Sequence, residues 1–232
     1  MAGAISRAVM ARLARLVVPG QPHLVTQRGN RRLETFFGDD DYRAYLSLLA
    51  EWCHDAGTEI WAYCLMPNHV HLVLVPSHAD GLRAALGETH RRYTRRVNLR
   101  EGWRGHLWQE RFHSFPMDEK YLLACARYVE QNPVRAKLAR RPRDWRWSSA
   151  RAHLAGKDDG VVKVAPMLER APGWKAFLAE GLGGETLEAI LGHERTGRPL
   201  GSGAFLKKLA RITGRDFKRG KPGRPKKTPG AT

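Results

Sequence analysis

Two histidines stand one residue apart at the start of a strongly apolar segment, "HVHLVLV", which occupies residues 69–75. Side chains at positions i and i+2 of a β-strand share one face, so His69 and His71 would point in the same direction. Such a pair could bind one divalent metal ion, or both side chains could simply be packed or exposed. The apolar surroundings favour metal binding, because an unpartnered buried polar group costs about 1–3 kcal/mol.

The residue types around the pair indicate which metal it would bind. A structural zinc site needs four ligands, usually including cysteine, and the sequence has no second Cys and His cluster at suitable spacing. It also lacks the zinc deaminase signature, H-x-E followed by P-C-x-x-C, and the H-E-x-x-H motif. Two imidazoles with an oxygen ligand and positions open to phosphate suit Mg²⁺ or Mn²⁺, which are therefore the expected cofactors.

A tyrosine and an asparagine farther along the chain could complete this site. In "ARYVEQNPVRAKL", Tyr128 precedes Asn132 by four residues, one helical turn, which would place both on one helix face. Tyr128 could then supply a nucleophile and Asn132 an oxygen ligand. The alternative is that Tyr128 packs in the core and Tyr121 is the nucleophile, but Tyr121 has Cys125 at i+4. A phenol with a pKa near 10 is a weak nucleophile, so a divalent ion would have to polarise the phosphate.

The apolar pattern around these positions predicts the element order β-α-β-β-α-β-α. The first six elements would form an antiparallel sheet with both helices on one face. The predicted fold class is therefore α+β: a ferredoxin-like βαββαβ sandwich with a small helical carboxy-terminal extension and a basic tail. The predicted strands are 23–30, 59–66, 69–75 and 105–117, and the predicted helices are 39–57, 79–98 and 118–132.

Changes in composition divide the chain of 232 residues into five predicted parts. Met10 is the expected alternative start, because "MARLARLVVPG" reads as a complete amino-terminal arm. The basic tail is rich in Pro and Gly and should be disordered alone. The parts are an amino-terminal arm (1–19), a catalytic domain (20–155), a connector (156–183), a helical extension with two short helices (184–215) and the basic tail (216–232).

The charge of the chain indicates the class of its partner. Forty Lys and Arg residues against 23 Asp and Glu give a formal net charge of +17. This excess predicts a polyanionic partner, with nucleic acid favoured over a membrane surface. The sequence contains no run of 18 or more apolar residues, so no membrane span is expected. It has three cysteines and no CxxC pair, which fits a reducing cytoplasm.

Three groups of basic side chains are candidate contacts to DNA. The first group lies on the helix predicted for 79–98. Its arginines could bind phosphates, or they could simply form a charged face exposed to solvent. The second stands among Trp103, Trp108 and Phe112, and basic groups beside aromatics suit unstacked bases, although these rings could instead belong to the core. The third is "KPGRPKK", which resembles the Gly-Arg-Pro core of minor-groove hooks. The candidates are Arg91, Arg92, Arg95, Arg96, Arg104, Arg111, His113 and Arg224.

Several stretches together resemble the single-tyrosine HUH transposases, in particular the REP-associated tyrosine transposases of bacteria. They occur in the family's order, and "MPNHVHLV" followed by "RYVEQNPVRA" is the most specific combination. "RTGRPLGSGAFL" is similar to the carboxy-terminal extension of many members. The other matching stretches are "GNRRLETFF", "YCLMPNHVHLVLVP", "LWQERFHSFPM", "YLLACARYVEQNPVRAKL" and "WRWSSARAHLAG".

The resemblance implies a nuclease core that acts on single-stranded DNA. His69 and His71 match the family's metal-binding pair, Tyr128 matches its nucleophile, and Asn132 stands where the family has a third polar ligand. By this resemblance, Tyr128 attacks a phosphodiester, forms a 5′-phosphotyrosine and frees a 3′-OH, and a second 3′-OH then rejoins the strands without ATP. The expected target is a palindromic repeat folded as a hairpin, with a guide tetranucleotide beside it.

Alternatives to this function remain open. A domesticated relative could bind DNA hairpins without strand transfer. An RNA-binding ferredoxin-like module has less support, because no RNP-type aromatic motif occurs on the strands. Related small transposases act as dimers and REP-associated members can act as monomers, so a monomer or a homodimer is expected. A bacterial transposase of this kind would act in the cytoplasm, associated with the nucleoid.

Overall fold

The computed structural model describes residues 15–217, which are organised around a four-stranded sheet. The strands are His23–Arg28 (β1), Thr58–Met66 (β2), His69–Pro76 (β3) and His113–Pro116 (β4). Their order is β2-β3-β1-β4, and every neighbouring pair is antiparallel. Most residues of β2 and β3 are buried, as expected for strands that are covered on both faces.

Two long helices, Asp39–Asp55 (α1) and Gly81–Glu101 (α2), cover one face of the sheet. Three aspartates open α1, where carboxylates interact favourably with the positive end of the helix dipole. The buried positions of α2 recur at helical spacing, and arginines occupy much of its remaining surface. The core between these helices and the sheet includes Leu49, Val70, Leu72, Leu82 and Tyr93.

The opposite face of the sheet carries the next helix, α3, and several helices that follow it. Leu122 and Val129 of α3 pack in a second core with Ile190 and Leu200 from the carboxy-terminal part of the chain. The extension is therefore packed directly on this face. The helices are Glu119–Glu130 (α3), Asn132–Arg135 (α4), Ala150–Ala155 (α5), Ala165–Arg170 (α6), Trp174–Ala179 (α7), Gly184–Thr196 (α8) and Gly203–Thr213 (α9).

The predicted α+β class and the ferredoxin-like order of elements are confirmed. The strand predicted for 105–117 is wrong over most of its length, since only His113–Pro116 forms a regular strand. Positive φ angles of 95° at Gly105 and 57° at Glu110 turn the chain away from an extended path. Within the predicted connector, 156–183, the chain forms the short helices α6 and α7.

Several smaller expectations have a structural counterpart. The three cysteines are free and buried. The two helices predicted in the extension are present as α8 and α9. None of the described helices is long and apolar enough to cross a membrane. Most of the predicted amino-terminal arm and all but two residues of the predicted basic tail lie outside the described range.

A buried carboxylate joins α3 to the chain that follows it. Glu130 is fully buried and accepts hydrogen bonds from Ser149 Oγ at 2.5 Å, His153 Nδ1 at 2.6 Å and Trp174 Nε1 at 2.9 Å. Each donor would be costly to leave unpaired in the interior. This carboxylate therefore fixes α5 and α7 against α3, the helix that also bears Tyr128.

Replacing Glu130 by alanine should lower the free energy of unfolding by about 3–5 kcal/mol, because buried His153 Nδ1 and Trp174 Nε1 lose their acceptor and Ser149 retains only the Tyr63 carbonyl. Urea denaturation followed by circular dichroism measures this change. Asp80→Asn is a matched control, because it disrupts only an exposed ion pair with Arg83 and should leave the midpoint unchanged. A Glu130→Ala protein as stable as the unmodified chain would show that the carboxylate does not hold these helices together.

Candidate active site

The two histidines lie on one face of the sheet at the start of β3. Their ring centroids are 4.9 Å apart and the ring planes are 85° apart. Val70, between them, packs into the core on the side of α1 and α2, so the pleat directs both imidazoles to the α3 side. His71 is buried and His69 is partly buried. The pair therefore shares the face that its spacing predicts.

Hydrogen bonds around His71 determine which ring nitrogen carries the proton. Thr26 lies opposite His71 in the β1–β3 pairing and donates its hydroxyl proton to Glu194 Oε1 at 2.8 Å. His71 Nδ1 is 3.3 Å from the Thr26 oxygen and 3.2 Å from the same Glu194 oxygen. Because the Thr26 proton is already used and a carboxylate only accepts, Nδ1 must be the protonated nitrogen. The lone pair of neutral His71 is then on Nε2.

His69 has the same arrangement. Its Nδ1 lies 2.6 Å from Oδ1 of Asn68, whose Nδ2 donates to the Arg32 carbonyl at 2.9 Å, so Nδ1 is again the donor. Burial and the neighbouring His71 lower the pKa of His69 to about 2, which keeps this ring neutral. In the described part of the chain neither Nε2 atom has a hydrogen-bond partner. Both rings therefore offer a lone pair of the kind that binds metals.

Tyr128 of α3 lies directly beside this pair. Its ring centroid is 5.2 Å from that of His71, and the two rings are nearly perpendicular at 84°. The hydroxyl donates to Glu194 Oε2 at 3.3 Å, and the Arg135 guanidinium lies 4.2 Å from the ring centroid. Burial, together with the Glu194 carboxylate, raises the pKa of Tyr128 well above its usual value, so the phenol is protonated here. The structure thus brings the predicted nucleophile and histidine pair together.

Asn132 does not continue the helix of Tyr128, contrary to the prediction. α3 ends at Glu130, and Asn132 is the first residue of α4, where the following Pro133 is tolerated. A single helical turn therefore does not relate Tyr128 to Asn132. The Asn132 side chain is buried, and among the described residues its Nδ2 has no hydrogen-bond partner. Its amide is not engaged by the surrounding side chains.

Glu194 of α8 is the principal residue of this site that the sequence did not reveal. Its carboxylate contacts Thr26, His71 and Tyr128. Burial raises the pKa of Glu194, but His71 and the hydrogen bonds it receives outweigh burial and leave the pKa below its usual value. A signal existed: Leu187, Ile190 and Glu194 follow helical spacing, which places an acid on the buried stripe of α8.

The donor set of this site fits a hard divalent ion. Within residues 15–217 no group of three His, Cys, Asp or Glu side chains is arranged to hold a metal ion. The two Nε2 lone pairs would therefore need an amide oxygen, water or phosphate to complete the coordination. The amide oxygen of Asn132, the ligand predicted from the sequence, is of the type that these ions prefer. Such a mixed set of nitrogen and oxygen donors is compatible with Mg²⁺ or Mn²⁺.

The predicted basic contacts within the described residues come from α2 and from the chain around the start of β4. The four arginines of α2 that were predicted to contact DNA are exposed, and two of them, Arg91 and Arg92, form ion pairs with Glu88. Arg104, Arg111 and His113 are also exposed, in or next to the segment before β4. Arg224 lies outside the described residues. The other two predicted contacts on α2 are Arg95 and Arg96.

The aromatic residues near these basic groups only partly match the prediction. Trp108 and Phe112 are buried in the core beneath α1 and α2, so they do not form an exposed stacking surface. Trp103 is 49% exposed and contacts the ring of Phe37. The sequence left open whether these rings would face DNA or belong to the core, and the structure places two of them in the core. Trp103 is therefore the ring of this group that remains accessible to a base.

A cavity of about 410 Å³ lies between α2 and the segment before β4. Leu86, Trp108 and Phe112 provide apolar walls. The cavity is on the side of α1 and α2, so the sheet separates it from Tyr128. Its charged and imidazole lining residues are Arg15, Arg83, Arg91, Arg111, His90, His106 and Glu110.

A family model described as "Transposase IS200 like" matches residues 17–132, half of the chain. The chain belongs to the IS200-like transposase family. The matched span contains His69, His71 and Tyr128 and ends at Asn132, whereas Glu194 lies beyond it. The chain thus combines a transposase core with an extension that reaches the same site.

Individual relatives agree with this assignment. A Haemophilus influenzae protein, provisionally named as a REP-associated tyrosine transposase, is 25% identical over 121 residues, which cover 47% of this chain and 69% of that protein. A solved structure of a REP-associated tyrosine transposase bound to a REP hairpin aligns with a TM-score of 0.55 over 66% of this chain and 92% of that one. At 21% identity it shows the fold alone. Together with the family match, these relatives confirm the resemblance drawn from the motifs.

Proposed function

We propose that this transposase cleaves and rejoins single-stranded DNA at hairpin-forming repeats through a covalent link to Tyr128. The observation that carries the proposal is the position of Tyr128 beside His71, on the face where both imidazoles have an uncommitted Nε2. The family match and a solved relative that is bound to a REP hairpin support DNA hairpins as the substrate.

In this proposal His69 and His71 hold Mg²⁺ or Mn²⁺ through Nε2, with the amide oxygen of Asn132 as a further ligand. When bound, the ion supplies Lewis acidity that polarises the scissile phosphate and neutralises charge. Tyr128 supplies the nucleophile: its oxygen forms a bond to phosphorus while the bond from phosphorus to the 3′-oxygen breaks. The phenol loses a proton and the freed 3′-oxygen gains one, so attack by another 3′-OH can reverse the step.

The same chain supplies all the groups of this site. His69, His71 and Tyr128 lie together without a second copy, which supports action as a monomer rather than as a dimer with shared sites. The net charge of +17 would attract the DNA, and the exposed arginines of α2 would contact its phosphates. The protein would then work in the cytoplasm, at the nucleoid.

A second candidate function is hairpin binding without strand transfer. The observation that favours it is the burial of Tyr128, which is 5% exposed and donates its proton to a carboxylate. A protein that only binds DNA would retain the basic surface but would form no covalent link. The two functions therefore differ in one measurable product.

The Tyr128→Phe variant should form no covalent adduct with DNA, whereas the unmodified protein should form one. The substrate is a hairpin oligonucleotide labelled at its 3′ end, because a 5′-phosphotyrosine retains the downstream fragment, and the product is separated on a denaturing gel with Mn²⁺ or Mg²⁺ present. Tyr121→Phe is the control, since Tyr121 stands seven residues earlier on α3, about 10 Å along the helix. An adduct that persists in Tyr128→Phe, or its absence from the unmodified protein, would contradict this proposal.

Replacing Arg95 and Arg96 together by alanine should weaken binding to the hairpin and reduce its salt dependence. For each phosphate that is no longer neutralised by an arginine, the slope of log K against log salt concentration should become less negative by about 0.7–0.9. Fluorescence anisotropy at several salt concentrations measures both quantities. Arg141→Ala is the control, because Arg141 is paired with Asp144 away from α2. An unchanged slope in the double variant would exclude this helix face as a phosphate-binding surface.

A further inference from the structure

The carboxylate of Glu194 connects the histidine pair with the tyrosine. One oxygen, Oε1, lies 3.2 Å from His71 Nδ1 and accepts from Thr26 at 2.8 Å. The other oxygen, Oε2, accepts from the Tyr128 hydroxyl at 3.3 Å. The Glu194 side chain is only 15% exposed, so these three contacts replace most of its hydration. In a buried hydrogen-bond network of this kind, the carboxylate and its three partners restrict one another to fixed orientations.

We propose that Glu194 is a positioning residue of the transposase site, which orients His71 for metal binding and holds the Tyr128 hydroxyl beside it. The catalytic role that this inference gives to Glu194 rests on the proposed function. A histidine that binds a metal through Nε2 usually donates its Nδ1–H to a carboxylate or carbonyl, which fixes the tautomer and the ring orientation. Glu194 stands at that position relative to His71, on the ring nitrogen that the ion would not use.

The geometry assigns Glu194 to this role rather than to direct coordination. A ligand would have to converge with the two Nε2 atoms, yet no three-residue metal group that includes an acid exists among residues 15–217. The contact of Glu194 is instead with Nδ1. The carboxylate therefore lies behind the ligating edge of the ring.

The rest of the extension holds α8 in place for this contact. Ile190 is fully buried in the second core, four residues before Glu194. After the helix, Leu200 N donates to the Pro116 carbonyl at 2.9 Å, and Asp118 N donates to the Leu200 carbonyl at 3.1 Å. These bonds tie the extension to the end of β4 and the start of α3. The segment beyond the family match therefore contributes to the active site and does not merely follow it.

The first test needs neither metal nor activity. Long-range ¹H–¹⁵N spectra of the full chain with ¹⁵N-labelled histidine report which nitrogen of His71 is protonated. The expected result is a proton on Nδ1 in the unmodified protein and a shift of the tautomer population toward Nε2–H in Glu194→Ala. A spectrum that shows Nε2–H in the unmodified protein, or that is identical in Glu194→Ala, would overturn the inference.

The second test measures Mn²⁺ binding by titration calorimetry. Glu194→Gln should weaken the affinity for Mn²⁺ by about 10–100-fold, as expected for the loss of an outer carboxylate. Thr26→Val, which removes a partner of the same carboxylate, should weaken it in the same direction. Glu188→Gln is the matched control, because Glu188 is an exposed acid on the same helix. Equal Mn²⁺ affinity in Glu194→Gln and Glu188→Gln would overturn the inference.

Two further measurements separate this inference from the proposed function. The rate of adduct formation should fall in Glu194→Gln, while the hairpin dissociation constant stays unchanged, because Glu194 lies behind the site and not on the basic surface. Thermal melting shows whether the variant is folded. If the unmodified protein neither binds Mn²⁺ nor forms an adduct, the proposed function fails, and the tautomer spectra still decide whether Glu194 orients His71.

Discussion

The antiparallel pairing of β1 with β3 is the constraint on which the site depends. It places Thr26 opposite His71, and the two-residue period of β3 keeps His69 and His71 on the face that meets α3. A shift of one residue in this register would turn both imidazoles into the apolar core under α1 and α2. The hydrophobic residues that alternate with the histidines would leave the core in such a shift, which makes it costly. Packing of the core therefore fixes the positions of His69 and His71.

Around that pair, specific acceptors receive the Nδ1 hydrogen of each imidazole and the hydroxyl hydrogen of Tyr128. Asn68 accepts from His69, and Glu194 with Thr26 accepts from His71, so the outward nitrogen of each ring remains available. The Tyr128 hydroxyl donates a hydrogen bond to the same carboxylate. A polar cluster of this kind is tolerable beside a hydrophobic core only when its members satisfy one another, and the satisfied cluster then restricts each side chain to one orientation.

In the proposed function, one face of the sheet carries the residues that cleave DNA and the other carries basic residues that could bind it. The α3 side carries the imidazoles, the tyrosine and the helices of the extension, whereas the α2 side carries exposed arginines and a cavity with basic lining residues. DNA held by the arginines would have to pass around the edge of the sheet to reach Tyr128. The edge strand β4 is short, and the segment before it bears the exposed Arg104 and Arg111.

Local patterns in the sequence determined the order of elements, the shared face of His69 and His71, and the charge that points to DNA, because periodicity and composition follow directly from the residues. They could not determine which aromatic rings near Arg111 were exposed, since the burial of Trp108 and Phe112 depends on their packing against distant residues of the core. They also missed the end of α3 before Asn132. Glu194 reaches His71 across 123 positions of the sequence, and only the packing of α8 on the sheet decides that contact, because no local pattern encodes which distant side chains meet.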